Sequence, residues 1–328
     1  MSQATPTPLA FSLSTNWNSE RHETGEAIVD EIADLGFHAL ELGYKLDELK
    51  ADGILLRINQ GAIKASSVHA FCPAPLYASS GHPELYLAAS LDDDERTMAT
   101  ILVERSLELA RESGARAVVL HAGRVRQKKR WFRAPHSEII IDTLAAAGAD
   151  APIFTKMNTR AKSVRNRIVT NHLNALRRSL DSLLPRFTAA NIVLSLENLP
   201  SWEALPDENE ITTLIKEYNT TALAQWYDIG HGEVRQNLGW CADNATIARE
   251  LAPFTCGVHI HDVAPPATDH LPPGEGVIDF SRFSFYANDT TIRVFEPHPA
   301  VTPPTLQQSL KLLQKLWRTN PPILPNHT

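Results

Sequence analysis

One pattern recurs along this chain and limits what it can fold into. A short apolar, β-favouring run ends in Asp, Glu or His and then breaks into a loop. The clearest case is Asn191-Ile-Val-Leu-Ser-Leu-Glu-Asn-Leu-Pro200, where the run reaches Glu197 and Asn198 before a proline stop. Ser67-Val-His69, Val118-Val-Leu-His121, Trp226-Tyr-Asp228, Gly257-Val-His259 and Arg293-Val-Phe-Glu296 repeat it. Continuous rather than alternating hydrophobicity marks strands buried on both faces, as in parallel sheets. A charge at the end of such a strand is costly unless it is paired or bound to a metal. A single one is ordinary: a salt-bridged acid or a hydrogen-bonded packing histidine. Their recurrence, always with side chains of metal-ligand type, points to one shared site.

Helical stretches separate these runs. Glu23 to Leu35 has apolar residues at helical spacing and is closed by Gly36, and Asp92 to Ser113 is amphipathic and closed by Gly114. Residues 46–58, 209–218, 244–251 and 306–317 continue the series. Strands are expected within 9–17, 37–44, 63–72, 115–123, 191–197, 222–229, 255–263 and 292–296. Alternating strands and helices favour a parallel sheet, and eight such units an α/β, closed (β/α)8 barrel with its active site at the C-terminal strand ends. No Gly-x-Gly-x-x-Gly follows the first strand and there is no P-loop, which argues against an open doubly wound sheet. The expected organisation is one domain over residues 1–328, with flexible tails at 1–8 and 318–328. A long loop at 73–91 has the character of a lid. An inserted basic loop and helical segment, 124–163, follows strand four and runs into a helix over about 164–188.

Composition adds exclusions. The chain has 328 residues, 43% hydrophobic, enough for a large core. The cysteines Cys72, Cys241 and Cys256 have no short paired spacing, so neither a disulfide framework nor a Cys-rich zinc site is implied. With no basic-then-apolar leader and no run of roughly 20 apolar residues, the expectation is a cytoplasmic protein with no membrane partner. Charge is uneven. Residues 124–170 hold eleven Lys/Arg against three acids, within a chain of net charge −7. That surplus fits either an anionic ligand or a solvated helix face; self-association is left open.

Glu197, Asp228, His259 and Glu296 close four successive strands. Three inward carboxylates repel one another unless protonated, and a divalent cation removes that penalty. The mixed O/N donor set suits Mn, Co, Zn or Mg. His69 and His121, with Glu197 bridging, offer a second metal site. His231 and His270, with Asp269 nearby, offer a third site or contacts to substrate hydroxyls. His261 lies on the same side of its strand as His259 and farther out, with Asp262 on the other side. One metal with Glu197 and Glu296 as acid/base groups suits aldose–ketose isomerisation or epimerisation; two or three metals suit phosphodiester hydrolysis.

These motifs resemble those of the xylose isomerase-like TIM barrels, the superfamily of sugar phosphate isomerases and epimerases and of endonuclease IV-type AP endonucleases. They are Ser-Val-His69, Val-Leu-His121-Ala-Gly, Leu-Glu197-Asn, Tyr-Asp228-Ile-Gly-His231, Val-His259-Ile-His-Asp262, His270-Leu-Pro-Pro-Gly-Glu-Gly-Val-Ile-Asp-Phe and Phe-Glu296-Pro. The resemblance implies a single-metal site at Glu197, Asp228, His259 and Glu296, proton transfer by Glu197 and Glu296, and a small polyol or anionic substrate contacted by His231 and also by Glu41 and His270. The nuclease branch implies a three-zinc cluster that adds His69, His121, His231 and His270. That branch also needs an aspartate where this chain has Thr268, with Asp269 one residue off. The expected activity is therefore a metal-dependent sugar or sugar-phosphate isomerase or epimerase, with a multi-zinc phosphoester hydrolase as the alternative. Nucleic acid is a partner only under that alternative, because the body of the chain is acidic.

Overall fold

The apolar runs become the staves of a closed parallel barrel. The computed structural model describes residues 9–78, 80–127 and 133–319. Residues 1–8 and 320–328 of the expected tails, and Lys128, Lys129 and Arg130 of the basic insertion, lie outside the described residues. The staves are β1 (Ser12–Ser14), β2 (Ala39–Leu42), β3 (Lys64–His69), β4 (Ala117–Leu120), β5 (Val193–Glu197), β6 (Leu223–Asp228), β7 (Thr255–Ile260) and β10 (Ile292–Phe295). They close in the order β1-β10-β7-β6-β5-β4-β3-β2, every pairing parallel.

Helices α1 (Gly25–Asp34), α2 (Glu48–Asn59), α3 (Asp93–Ser113), α5 (Pro152–Ala190), α6 (Glu208–Tyr218), α8 (Asn244–Leu251) and α9 (Pro303–Thr319) lie between and after the staves. Their ends are written in the sequence. Asp92 accepts from the amides of Asp94 and Glu95 to start α3, and Gly114 closes it at φ +70°. Asp207 and Glu210 form a capping box at the start of α6. No helix among the described residues is long and apolar enough to cross a membrane.

Inside the barrel, Trp226 packs with Ala117, Val119, Ile292 and Val294. Its ring fills the space that a Cβ on Gly257 would need, 2.1 Å away, so the glycine on β7 is the condition for the indole on β6. The His259 ring rests edge-on against Trp226 with centroids 5.2 Å apart. Trp226 is thus the floor on which the polar strand ends stand, and replacing such a buried indole by alanine costs roughly 3–5 kcal/mol.

Four segments differ from the sequence reading. The stretch after β6 is a helix, α7 (Ile229–Asn237), because the Asp228 side chain accepts from the His231 amide and caps it. The seventh strand stops at Ile260, and the expected loop 264–276 begins with an antiparallel hairpin, β8 (Asp262–Ala264) with β9 (Thr268–Leu271). The insertion is largely helical: α4 (Ser137–Ala147) precedes α5, which starts at Pro152 rather than near 164. The loop 73–91 is fastened over its second half. Ala89 donates to Ala122 O (2.9 Å), and Ser179 and His172 of α5 donate to Ala88 O (2.7 Å) and Ala89 O (2.9 Å).

Candidate metal centre

The ends of β5, β6, β7 and β10 bring Glu197, Asp228, His259 and Glu296 together, all buried, with one donor atom of each within 4.8 Å of the others. His259 Nδ1 lies 3.3 Å from Glu197 Oε1, 3.3 Å from Glu296 Oε2 and 3.7 Å from Asp228 Oδ2. Ligands about 2.1 Å from a common ion lie within roughly 4.2 Å of each other, so this donor set fits a divalent cation with little adjustment. Among the described residues, the ion-pair partners of these three carboxylates are imidazoles, with no lysine or arginine among them.

A second group touches the other oxygen of Glu197. His69 Nε2 is 3.3 Å and His121 Nε2 3.1 Å from Glu197 Oε2. His69 Nδ1 donates to Ala70 O at 2.9 Å, which leaves Nε2 with its lone pair facing the carboxylate in the neutral ring. A third group holds His231, His261 and His270, again within 4.8 Å. His231 Nδ1 donates to Asn198 O (3.0 Å) and lies 3.3 Å from both Glu197 Oε1 and Asp228 Oδ2, and His270 Nδ1 donates to Glu296 O (2.7 Å). Thr268 sits exposed on β9, and His261 occupies the place beside His231 and His270.

The candidate ligands are held by neighbours that the sequence motifs also contain. Asn198 grips the Asp228 backbone with both ends of its amide, accepting from Asp228 N (2.8 Å) and donating to Asp228 O (3.0 Å). His261 Nε2 donates to Asp228 at 3.0 Å, while its Nδ1 accepts from His270 N at 2.9 Å. Asp262 accepts from the amides of Val263, Gly274, Gly276 and Ile278 at 2.9–3.0 Å. A Cβ on Gly276 would fall 2.3 Å from Asp262 Oδ1, so the Gly274-Glu-Gly276 turn is shaped to this carboxylate and carries no ligand.

A family model of xylose isomerase-like TIM barrels matches residues 29–316. The chain belongs to the xylose isomerase-like TIM barrel family. Among solved structures it is similar to a D-tagatose 3-epimerase-like protein (17% identity, 94% of this chain and 97% of that one, TM-score 0.67). It is similar also to the 3-keto-D-glucoside 4-epimerase of E. coli (16%, 94% and 99%, TM-score 0.67) and to an L-ribulose 3-epimerase (15%, 97% and 99%, TM-score 0.63). At these identities the likeness establishes the fold. Against curated proteins the sequence has no significant match.

Within this xylose isomerase-like barrel the electrostatics follow from burial. Burial alone would raise the Glu197 carboxyl, but the charges of His121 and His259 outweigh it and hold the group well below the ordinary carboxylate range. Asp228 and Glu296 are depressed in the same way, against burial, by His231 and His261 and by His259, His270 and His69. Burial would lower His259, yet Glu296, Glu41 and Glu197 lift it well above an ordinary imidazole. His231 is pushed up to about 10 by Asp228 and Glu197 against the same penalty. His270 goes the other way, lowered by burial and by the neighbouring His261 charge. The raised imidazoles and the depressed carboxylates stabilise one another's charged forms.

All four expected metal ligands meet, as do the two secondary histidine groups. Glu41 is at the cluster, but its carboxylate faces Ser67 Oγ (2.8 Å) and His259 Nε2 (3.1 Å) and has no exposed surface. His261 and Asn198 were not among the expected site residues. The only signal for them was adjacency, two residues from His259 and one from Glu197. Three arginines of the basic segment 124–170, which fits either an anionic ligand or a solvated face, have carboxylate partners. Arg124 pairs with Glu84, Arg126 with Glu95 (2.7 Å) and Arg165 with Glu210 (2.7 Å).

Proposed function

We propose that this protein is a metal-dependent sugar or sugar-phosphate epimerase or isomerase. The observation that carries the reading is that Glu197 and Glu296 each hold one carboxylate oxygen 3.3 Å from His259 Nδ1. Two acid/base groups thus flank one metal-binding point. Glu197, Asp228, His259 and Glu296 would hold the ion, which when bound supplies polarisation of the substrate carbonyl and hydroxyl oxygens. Glu197 takes the proton from the carbon beside the carbonyl, and Glu296 returns a proton to that carbon or its neighbour. A proton returned to the opposite face of the same carbon gives the epimer; one placed on the neighbouring carbon gives the isomer. His231 and His270, beside the ion-binding point, suit hydroxyl groups of a polyol. The similar solved structures described as tagatose, ribulose and keto-glucoside epimerases support the substrate class.

The test is incubation of the Mn2+-loaded enzyme with a panel of ketoses and their phosphates in D2O. Epimer or isomer formation with deuterium at the reacting carbon is expected. No exchange with any member overturns the reading.

A second reading rests on a different observation. Glu197 Oε2 meets His69 and His121 while Oε1 meets His259, so two donor groups share this carboxylate and could hold two ions. Such a pair suits water activation in phosphoester hydrolysis. Elemental analysis separates the two: about one metal per chain fits the epimerase, two or three zinc the hydrolase.

A further inference from the structure

Glu41 stands at the cluster but is not among the residues that converge on the ion-binding point. It ends on β2, where a register shift against β3 between Leu40 and Glu41 sets it opposite Ser67. Such irregularities re-aim a side chain. Ser67 Oγ donates to Glu41 Oε2 at 2.8 Å, and His259 Nε2 lies 3.1 Å from Glu41 Oε1. A carboxylate only accepts, so Nε2 donates to Glu41, and in the neutral ring that a cation would require the lone pair is on Nδ1. Nδ1 is the atom that faces Glu197, Glu296 and Asp228. The imidazole therefore stands between Glu41 and the ion-binding point. Glu41 and His259 are both fully buried.

We infer that Glu41 is a positioning residue for the metal, fixing the tautomer and orientation of His259 and making it a stronger donor, and that it does not touch substrate. This rests on the metal-centre reading above. A ligand imidazole whose second nitrogen donates to a carboxylate binds metal more tightly, typically by about 10–100-fold. The chain Ser67–Glu41–His259 supplies that partner from β3 and β2, across the barrel from β7.

The experiment is a calorimetric titration of Mn2+ into metal-free, full-length protein, wild type and Glu41→Gln. The glutamine can still accept a hydrogen bond, but it lacks the charge. Glu41→Gln should weaken Mn2+ binding by about 10–100-fold. At saturating Mn2+ its KM for whichever sugar the wild type turns over should be unchanged. Unchanged Mn2+ affinity, or a raised KM at saturating metal, overturns the inference. If the wild type binds no Mn2+, the metal-centre reading falls with it, and that result is distinct from equal binding by both proteins. Should Glu41→Gln fail to fold, Ser67→Ala decides. It removes only the hydroxyl that fixes Glu41, and unchanged Mn2+ affinity there would likewise overturn the inference.

Discussion

The barrel mouth and the insertion after β4 are both rich in charge, and they dispose of it in opposite ways. At the mouth, Glu197, Asp228 and Glu296 are buried and balanced only by imidazoles. In the insertion, Arg126 is half-exposed and satisfied by Glu95, and Arg165 is satisfied by Glu210. Charge density alone therefore does not mark a site. A buried cluster held by titratable partners keeps a strong, unspent demand for a cation. A surface cluster matched by carboxylates has none, because exposed ion pairs are worth little.

The largest expected effect lies in the buried cluster. Glu197→Gln and Glu296→Gln should each lower turnover by about 10²–10⁴-fold, read as epimer formation under saturating metal. Near-normal turnover in either variant would remove the two-glutamate mechanism and leave the mouth no more functional than the insertion.

Next in size is the hold on Asp228. Asn198→Ala frees the backbone of a ligand without removing a donor, and should weaken Mn2+ binding by about 10-fold or more, measured by titration calorimetry. An unaltered affinity would mean that the barrel alone fixes Asp228.

The pH dependence sharpens the contrast further. His231 is raised from 6.5 to about 10 in the folded, metal-free protein. Its ion pairs therefore stabilise fully below pH 6.5, and that contribution is lost as pH climbs to about 10. Glu197, held well below its ordinary 4.5, contributes above pH 4.5 and loses its share as the pH falls below that. These are two sides of the same contacts, so the metal-free protein should melt highest between pH 4.5 and 6.5. Mn2+ competes with these protons, so its stabilising effect should grow from pH 6 to 9. Thermal melts with and without Mn2+ check this; a metal-free Tm that stays flat from pH 6.5 to 10 would sink it.

The smallest effect belongs to the insertion. Arg126→Ala should cost about 1 kcal/mol or less, seen in the denaturant midpoint, and should leave KM unchanged. A large rise in KM for a phosphorylated sugar would make the insertion part of the site and end the contrast.

Much of this was legible in one dimension. Apolar runs between capped helices specify parallel staves, and their number specifies closure. Polar residues at the run ends specify which rim carries chemistry, so Glu197, Asp228, His259 and Glu296 could be named together. The roles of neighbours were not legible. Glu41 has the same strand-end signature as a ligand, and only its position across the barrel from β7 turns it toward His259 Nε2. His261 reads as a second histidine on a strand, but β7 ends at Ile260 and its ring is set by the His270 amide and Asp228. The basic segment 124–170 left an anionic ligand open because the acidic partners of Arg124, Arg126 and Arg165, namely Glu84, Glu95 and Glu210, lie 31 to 45 positions away.

Sequence alone thus determined the barrel and named the candidate donors at its rim, because periodicity and strand-end chemistry are local properties. Tertiary structure decided which histidine nitrogen meets which carboxylate, that Glu41 turns to Ser67 and His259 while Glu197, Asp228 and Glu296 converge, and which surface charges are already paired. Those depend on contacts between strands that are neighbours only once the barrel has closed.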